Sequence, residues 1–293
     1  MTRARVVVEV AGVGRDEQGH PPDPTGGPSL AQRPPSGPGG VVSSAERGCL
    51  LPDPSVMAQP DLIHVGGDRF RVLPWHGEGD IALMSPIPGD RLPASDAIRQ
   101  CLDLLADRGV REVVTGALAH LEVPGFIDAG FEVRERLHLL SHDLHPLPVE
   151  PRRVRLRRAR PSDRPAVLAV DAVAFDTFWR LDDASLDDAI GATASSRFRV
   201  TVGTPLAGYL VTGRSGARGY LQRLAVDPSQ QRNGIGSALV IDALRWLRRH
   251  GVQRAVVNTQ ETNAGALAMY ERLGFRREAE GLSVLTRPTG RDG

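Results

Sequence analysis

The sequence predicts an α/β fold, a mixed sheet flanked by helices, built from two related units in tandem. Three observations carry this expectation. Strand-like and helical text alternates from residue 62 to near the end of the chain. Arg-Gly-Val-Arg-Glu-Val-Val at residues 108–114 returns as His-Gly-Val-Gln-Arg-Ala-Val at 250–256, and Ala129-Gly130-Phe131 returns as Leu273-Gly274-Phe275. Only the second unit carries a glycine turn between a strand and a long helix, Gln231-Arg232-Asn233-Gly234-Ile235-Gly236-Ser237. A repeat of this length is a paired domain and not a solenoid.

The 293 residues suit about two domains at roughly 150 residues each. With 41% hydrophobic and 24% charged residues, the chain can bury a core, which excludes wholesale disorder. Its 36 basic and 35 acidic residues leave a net charge of +1, which argues against a protein that mainly coats nucleic acid. Every basic residue is Arg, so there is no lysine nucleophile, Schiff base or phosphate-loop lysine. Cys49 and Cys101 cannot build a disulfide framework, and neither has metal-ligand spacing, so a cytoplasmic location is expected. Glu9 and Arg15 interrupt any leader-like core, and no apolar run reaches the length of a membrane span. The histidines show no shared metal spacing, so no metal is expected.

Residues 1–57 are thick with Gly and Pro, as in Pro34-Pro35-Ser36-Gly37-Pro38-Gly39-Gly40, and are expected to be disordered. Met57 stands just before the first strand-like text, at the place of an alternative start. The first unit spans 58–149. It reads as strands at 70–73 and 81–84, a helix over 94–107 with Ser95 as N-cap and Gly109 beyond its end, and a strand at 113–114. A short helix then leads into a turn at 126–131 and a closing strand at 137–140. The second unit spans 150–293. Strand-like alternation at 154–159 is followed by helices over 164–178 and 185–192, then strands at 198–202, 206–211 and 220–226. A long helix over 236–250 ends at Gly251, a buried strand covers 255–257, and a helix over 264–272 is closed by Gly274.

The glycine turn carries the chemistry. A strand, Leu224-Ala225-Val226, runs through Asp227-Pro228 into the turn, and the turn opens a helix. Unpaired amides at such a helix start, aided by the helix dipole, attract phosphate oxygens. Gly234 and Gly236 would let a ligand approach the backbone closely. The turn lacks the third glycine of a dinucleotide fingerprint and the Gly-Lys-Ser/Thr of a Walker loop. Farther on, Asn263 precedes Ala264 as a helix cap, and Tyr270 lies two turns later on the same side.

The Gln-x-x-Gly-x-Gly turn and the Asn-x-x-Ala-x-x-x-Tyr…Leu-Gly-Phe run, at this separation, resemble the GNAT superfamily of acyl-CoA N-acyltransferases over roughly residues 154–287. The resemblance implies a GNAT fold and transfer of an acetyl group from acetyl-CoA to an amine. Main-chain groups of Leu224, Ala225 and Val226 would hold the pantetheine arm. Gln231, Arg232, Asn233, Gly234, Ile235, Gly236 and Ser237 would hold the pyrophosphate. Asn263 would contact the cofactor arm, and Tyr270 would protonate the leaving thiolate. The implied partners are acetyl-CoA and an amine acceptor, with the protein a monomer or homodimer and without nucleic acid, membrane or metal.

The chain departs from that pattern at the base. Tyr220, Gln222 and Arg223 fill a stretch where many relatives carry Glu, and Asn258 stands where N-terminal acetyltransferases of ribosomal proteins have one. Glu261 lies in a loop nearby, and a water chain to Asp171, Asp176 or Asp183 is an alternative route for the proton. Without a strong base, an α-amino group with pKa about 8 suits the site better than a lysine amine near 10.4. The acceptor is therefore read as a peptide N-terminus or a small primary amine. The segment from Phe175 to Asp183 is expected either to border its pocket or to pack in the core. The Arg run at 152–160 alternates with apolar residues like a half-buried strand, against nucleic-acid binding. The first unit lacks a Gly-x-Gly turn and has Phe126 where the second has Tyr270, so it reads as a degenerate, inactive copy. The contrasting reading is a non-catalytic acyl-CoA sensor or interaction protein.

Overall fold

The computed structural model describes residues 61–76, 78–87, 92–149 and 154–290. The Gly/Pro-rich segment 1–57, with Cys49, lies outside them, as do Arg152 and Arg153 of the basic run. The first unit opens with an antiparallel meander, β1 (Asp61–Val65), β2 (Asp68–Trp75) and β3 (Glu78–Pro86). Helix α1 (Ser95–Asp107) crosses to β4 (Glu112–Thr115), parallel to β3. β5 (Leu118–Ala119), α2 (Val123–Asp128) and β6 (Glu132–His142) complete the unit.

The second unit enters through β7 (Leu156–Arg158), α3 (Arg164–Ala174) and α4 (Asp183–Gly191). A second antiparallel meander follows, β8 (Ser195–Thr201), β9 (Gly208–Ser215) and β10 (Arg218–Val226). Helix α5 (Ile235–Arg249) crosses to β11 (Arg254–Gln260), parallel to β10, and α6 (Ala264–Arg272), β12 (Arg276–Arg277) and β13 (Leu282–Pro288) close the chain.

The helices start and stop for local reasons. α1 turns Ile98, Cys101, Leu102 and Leu105 into the core at helical spacing. Its cap differs from expectation: Ala94 takes the N-cap position, with its N–H given to Asp68 Oδ2 at 3.0 Å, and the Ser95 hydroxyl accepts from Arg99 instead. The helix expected over 164–178 ends at Ala174. Phe175 is extended and buried, and Asp176 caps a 3₁₀ turn at Thr177–Trp179, its side chain competing for the backbone amide of Trp179.

The repeated sequence pieces adopt matching backbone caps. Gly109 after α1 and Gly251 after α5 have φ of +87° and +73°, the left-handed region that favours glycine. In these caps Val110 N–H bonds Leu105 O at 3.1 Å and Val252 N–H bonds Leu247 O at 3.2 Å. Gly130 after α2 and Gly274 after α6 have φ of +88° and +91°, and the amides of Phe131 and Phe275 reach the carbonyls of Phe126 and Tyr270, both at 3.0 Å. The Phe126–Phe131 and Tyr270–Phe275 rings stack edge to face with centroids 5.2 and 5.3 Å apart.

The strands of the described residues form one continuous sheet in the order β1-β2-β3-β4-β13-β6-β11-β10-β9-β8-β7. The last strand of each unit lies in the other unit's half. β6 pairs with β11 and β12, and β13 pairs with β4. The two exchanged strands pair with each other at the centre. Burial follows the exchange: Leu285 of β13 packs in the first unit's core under α1 and α2, and Leu140 of β6 packs in the second unit's core with α5 and α6.

The two parallel pairs differ where a ligand would matter. β3 and β4 remain paired through Met84 and Thr115, and Gly116 N–H extends the contact to Met84 O at 3.2 Å. β10 and β11 pair only at Arg218–Arg254, Gly219–Ala255 and Tyr220–Val256, then separate. β10 stays bonded to β9 on its other side, with a bulge at Gln222.

Candidate functional site

The splay between β10 and β11 opens a cleft whose walls carry the residues singled out in the sequence. Leu224, Ala225 and Val226 lie on β10 beyond the last pair with β11. In a strand bonded on one side only, alternate N–H and C=O groups point away from the partner. Those of β10 turn toward the cleft.

The loop after β10 is more elaborate than a direct turn. Asp227 Oδ1 accepts from Ser229 N at 2.8 Å and from Ser229 Oγ at 2.7 Å, shaping a 3₁₀ turn at Pro228–Gln230. Gln231 Nε2 reaches back to Val226 O at 3.4 Å. Arg232 and Gly234 both take left-handed conformations, φ +63° and +80°, and Gly234 is the N-cap of α5. The first intrahelical bond runs from Ala238 N to Gly234 O at 2.9 Å, so the amides of Ile235, Gly236 and Ser237 lack intrahelical acceptors. Gly236 also sits close to α6. A Cβ there would meet Met269 Sδ at 3.0 Å, so its absence lets α6 pack against α5.

On the opposite wall, Asn263 caps α6, its Oδ1 accepting from Ala266 N at 3.0 Å. Tyr270 is fully buried against Phe275, and its hydroxyl has no partner among the described residues. Burial alone pushes the phenol far above its ordinary pKa, so it keeps its proton throughout the physiological range. Among the described residues, Asn258 Oδ1, Gln260 Oε1 and Asn263 Nδ2 are likewise buried without a partner, as is the Gln222 amide, which borders the cavity on the other face of β10. Buried polar atoms in native proteins are nearly always bonded. Asn258, Gln260 and Asn263 lie on β11 and at the start of α6, along one side of the cleft.

The other face of β10 holds a buried network. Arg223 Nε and Nη2 donate to the two carboxylate oxygens of Asp171, each at 2.8 Å, and Nη2 also donates to Trp179 O at 2.5 Å. Tyr209 Oη gives its hydrogen bond to Asp171 at 2.5 Å, and Leu181 N–H adds another at 2.8 Å. The Arg223 guanidinium lies 3.6 Å above the Phe175 ring. Asp171 is thus committed to holding the segment between α3 and α4 on β10. Asp176 caps its turn, Asp183 pairs with Arg164 at 2.9 Å, and Glu261 is exposed. Arg157 of the basic run is held by Asp163 through hydrogen bonds of 2.6 and 2.8 Å.

Phe175 belongs to the core, whereas Trp179 and Leu181 wall a cavity of about 150 Å³. Trp75, His76 and Leu83 of the first unit form the facing wall, and Gln222 and Arg223 also border it. Sequence reasoning missed Trp75 and His76, because only the fold brings the β2–β3 turn against α4. The nearest signal was an isolated Trp-His-Gly at a hairpin tip. Among the described residues no cluster of His, Cys, Asp and Glu could hold a metal ion, and no helix is long and apolar enough to cross a membrane.

A splayed parallel pair, a glycine loop opening a helix and a buried tyrosine on the next helix are the features that the resemblance to acyl-CoA N-acyltransferases leads one to expect. Residues 157–275 match the model of the acetyltransferase (GNAT) family, and this stretch is a GNAT domain. The chain is similar to mycothiol acetyltransferase of Salinispora arenicola, at 34% identity over 61% of this chain and 66% of the relative. It is also similar to human N-alpha-acetyltransferase 30, at 44% identity over 21% of this chain and 17% of the relative. It spans about half to two thirds of the length of the mycothiol acetyltransferases it matches. A tandem GNAT protein from the clavulanic acid biosynthesis pathway shares the fold, with a TM-score of 0.59 at 15% identity over 79% of this chain and 83% of that one. A GCN5-related N-acetyltransferase from Sphaerobacter thermophilus does so with a TM-score of 0.54 at 15% identity over 76% of each chain.

Proposed function

We propose that the second unit transfers the acetyl group of acetyl-CoA to an amine by direct attack on the thioester. The observation that supports this most is the cleft itself: β10 and β11 part after three pairs, and buried polar atoms without a partner among the described residues lie along one side of it. Main-chain groups of Leu224, Ala225 and Val226 hold the pantetheine arm, and the amides from Gln231 to Ser237 receive the pyrophosphate. Asn263, with Nδ2 free, contacts the arm. Tyr270 Oη donates to the departing sulfur, the acceptor that its burial has otherwise denied it.

The amine enters from the cavity on the other face of β10, between Trp75 of the first unit and Trp179 of the second. The enclosure and aromatic walls favour a compact primary amine of low pKa, either a small molecule or the first residue of a peptide. The relatives include both a mycothiol acetyltransferase and an N-alpha-acetyltransferase, and the cavity suits either scale of acceptor. The first unit acts as a degenerate copy. Its matching caps support common descent, while the zipped β3–β4 pair and Phe126 in place of a tyrosine leave it no donor site.

The test is CoA release from acetyl-CoA against a panel of small primary amines and free-N-terminus peptides. Acceptor-dependent release supports the proposal. Binding of acetyl-CoA without release for any amine favours the sensor reading.

A further inference from the structure

The proposed reaction leaves one proton without a destination. The acids that the sequence offers are committed elsewhere: Asp171 to Arg223 and Tyr209, Asp176 to a turn, and Asp183 to Arg164. Asp188 borders the acceptor cavity and is exposed, although desolvation beside the cavity raises its carboxyl pKa. One titratable side chain of the cavity wall keeps a buried nitrogen without a partner among the described residues, and it comes from the other unit.

His76 sits at the tip of the β2–β3 hairpin in a left-handed conformation, φ +50°, which bulky residues rarely adopt. Its ring packs on Trp75 with centroids 4.2 Å apart. Nδ1 lies 3.1 Å from Ser185 Oγ of α4, and Nε2 is buried with no hydrogen-bond partner among the described residues. The residue lines the same cavity as Gln222, Arg223 and Trp179. An imidazole with one nitrogen engaged and the other buried and unbonded resembles the bases of nucleophilic sites.

We propose that Nε2 of His76 receives the N–H of the acceptor amine and takes its proton during acetyl transfer. The inference rests on the acetyl-transfer reading above. Nδ1–H donates to Ser185 Oγ, which leaves a lone pair on Nε2. The amine enters neutral, its nitrogen bonds the carbonyl carbon, and the C–S bond breaks. The nitrogen becomes acidic as it gives up its lone pair, and its proton passes to Nε2. Tyr270 gives its proton to the thiolate, and exchange with solvent resets both side chains. The amide and the thiol account for every atom.

The electrostatics agree. The imidazole pKa is lowered to about 4, first by burial and then by the Arg223 guanidinium of β10. Asp182 before α4, the Phe178 carbonyl and Asp171 of α3 oppose this shift. His76 is therefore neutral at pH 7 and accepts hydrogen bonds, but it cannot deprotonate a free ammonium ion. The acid limb of kcat/KM should follow the pKa of the acceptor amine and not that of a histidine.

The full chain with 15N-labelled histidine, assigned through His76→Gln, tests this with phenylalaninamide, whose α-amino group is partly neutral at pH 7, as the probe amine and CoA present. The expected spectrum at pH 7 shows the neutral Nδ1–H tautomer and an Nε2 signal that shifts as amine is added. An Nε2–H tautomer, a protonated ring, or no response to saturating amine would overturn the proposal. In turnover, His76→Ala should lower kcat about 10²-fold with KM for acetyl-CoA unchanged, and added imidazole should restore rate. His76→Gln should keep CoA binding, as the folding control, yet remain as slow as His76→Ala. Wild-type kcat in either variant, or a loss that imidazole does not rescue, would refute the role. If the wild type releases no CoA with any amine, the acetyl-transfer reading fails, and the spectrum alone still decides whether His76 contacts the amine.

Discussion

Tyr270→Phe separates function from stability in a way that few active-site substitutions can. The Tyr270 hydroxyl is fully buried and has no partner among the described residues. A buried, unsatisfied polar group costs about 1–3 kcal/mol, and deleting the oxygen removes that cost without opening a sizeable cavity. The corresponding cap of the first unit holds a phenylalanine, Phe126, its ring 5.2 Å from Phe131. The variant should therefore unfold at higher temperature, by about 2–4 °C for each kcal/mol gained in a chain of this size. Its kcat should fall about 10²-fold or more, because the leaving sulfur loses its proton donor, while CoA affinity stays near wild type. Differential scanning calorimetry, calorimetric CoA binding and CoA-release kinetics on the same preparations make the comparison. A variant that is less stable would show that the hydroxyl has a structural partner. A more stable variant with wild-type kcat would show that Tyr270 is not the acid.

Other substitutions probe the frame around the cleft. Asp171→Asn leaves the Arg223 guanidinium buried without its counter-charge, and should cost about 3–5 kcal/mol in urea denaturation. Leu285→Ala empties a fully buried site in the first unit's core from the last strand of the chain. It should cost about 2–5 kcal/mol, and Trp75 and Trp246 fluorescence should still change in a single transition, because the exchanged strands couple the two units. The lowered pKa of His76, about 4 against an unfolded value near 6.5, means that the unfolded chain binds the proton first. That stability is present above pH 6.5 and lost as pH falls toward 4. The loss is at most about 3 kcal/mol, with buried His142 shifted in the same direction. His76→Gln should flatten this acid limb in chemical denaturation.

The sequence made some parts of this molecule legible and hid others for physical reasons. The helix caps could be read because glycine at Gly109, Gly130, Gly251 and Gly274 answers a strictly local requirement for positive φ. The same local chemistry made Asn263 readable as a cap. Ser95 misled because a distant carboxylate, Asp68, fixes the preceding residue. The long first helix of the second unit misled because Phe175 is drawn beneath Arg223, a tertiary contact that periodicity cannot show. Strand exchange was hidden altogether, since β6 and β13 have ordinary strand text and only their partners differ. His76 was hidden by distance along the chain. Its significance comes from α4, more than a hundred residues away, packing Ser185 against its ring.

If the cleft between β10 and β11 binds the acyl donor and the zipped β3–β4 pair does not, each chain takes up a single coenzyme. Isothermal titration of the full chain with CoA measures this directly through its stoichiometry. The account predicts saturable heat with one CoA per chain, weakened when Gly234→Ala disturbs the left-handed cap of α5. Two sites per chain, or no heat at all, would contradict it.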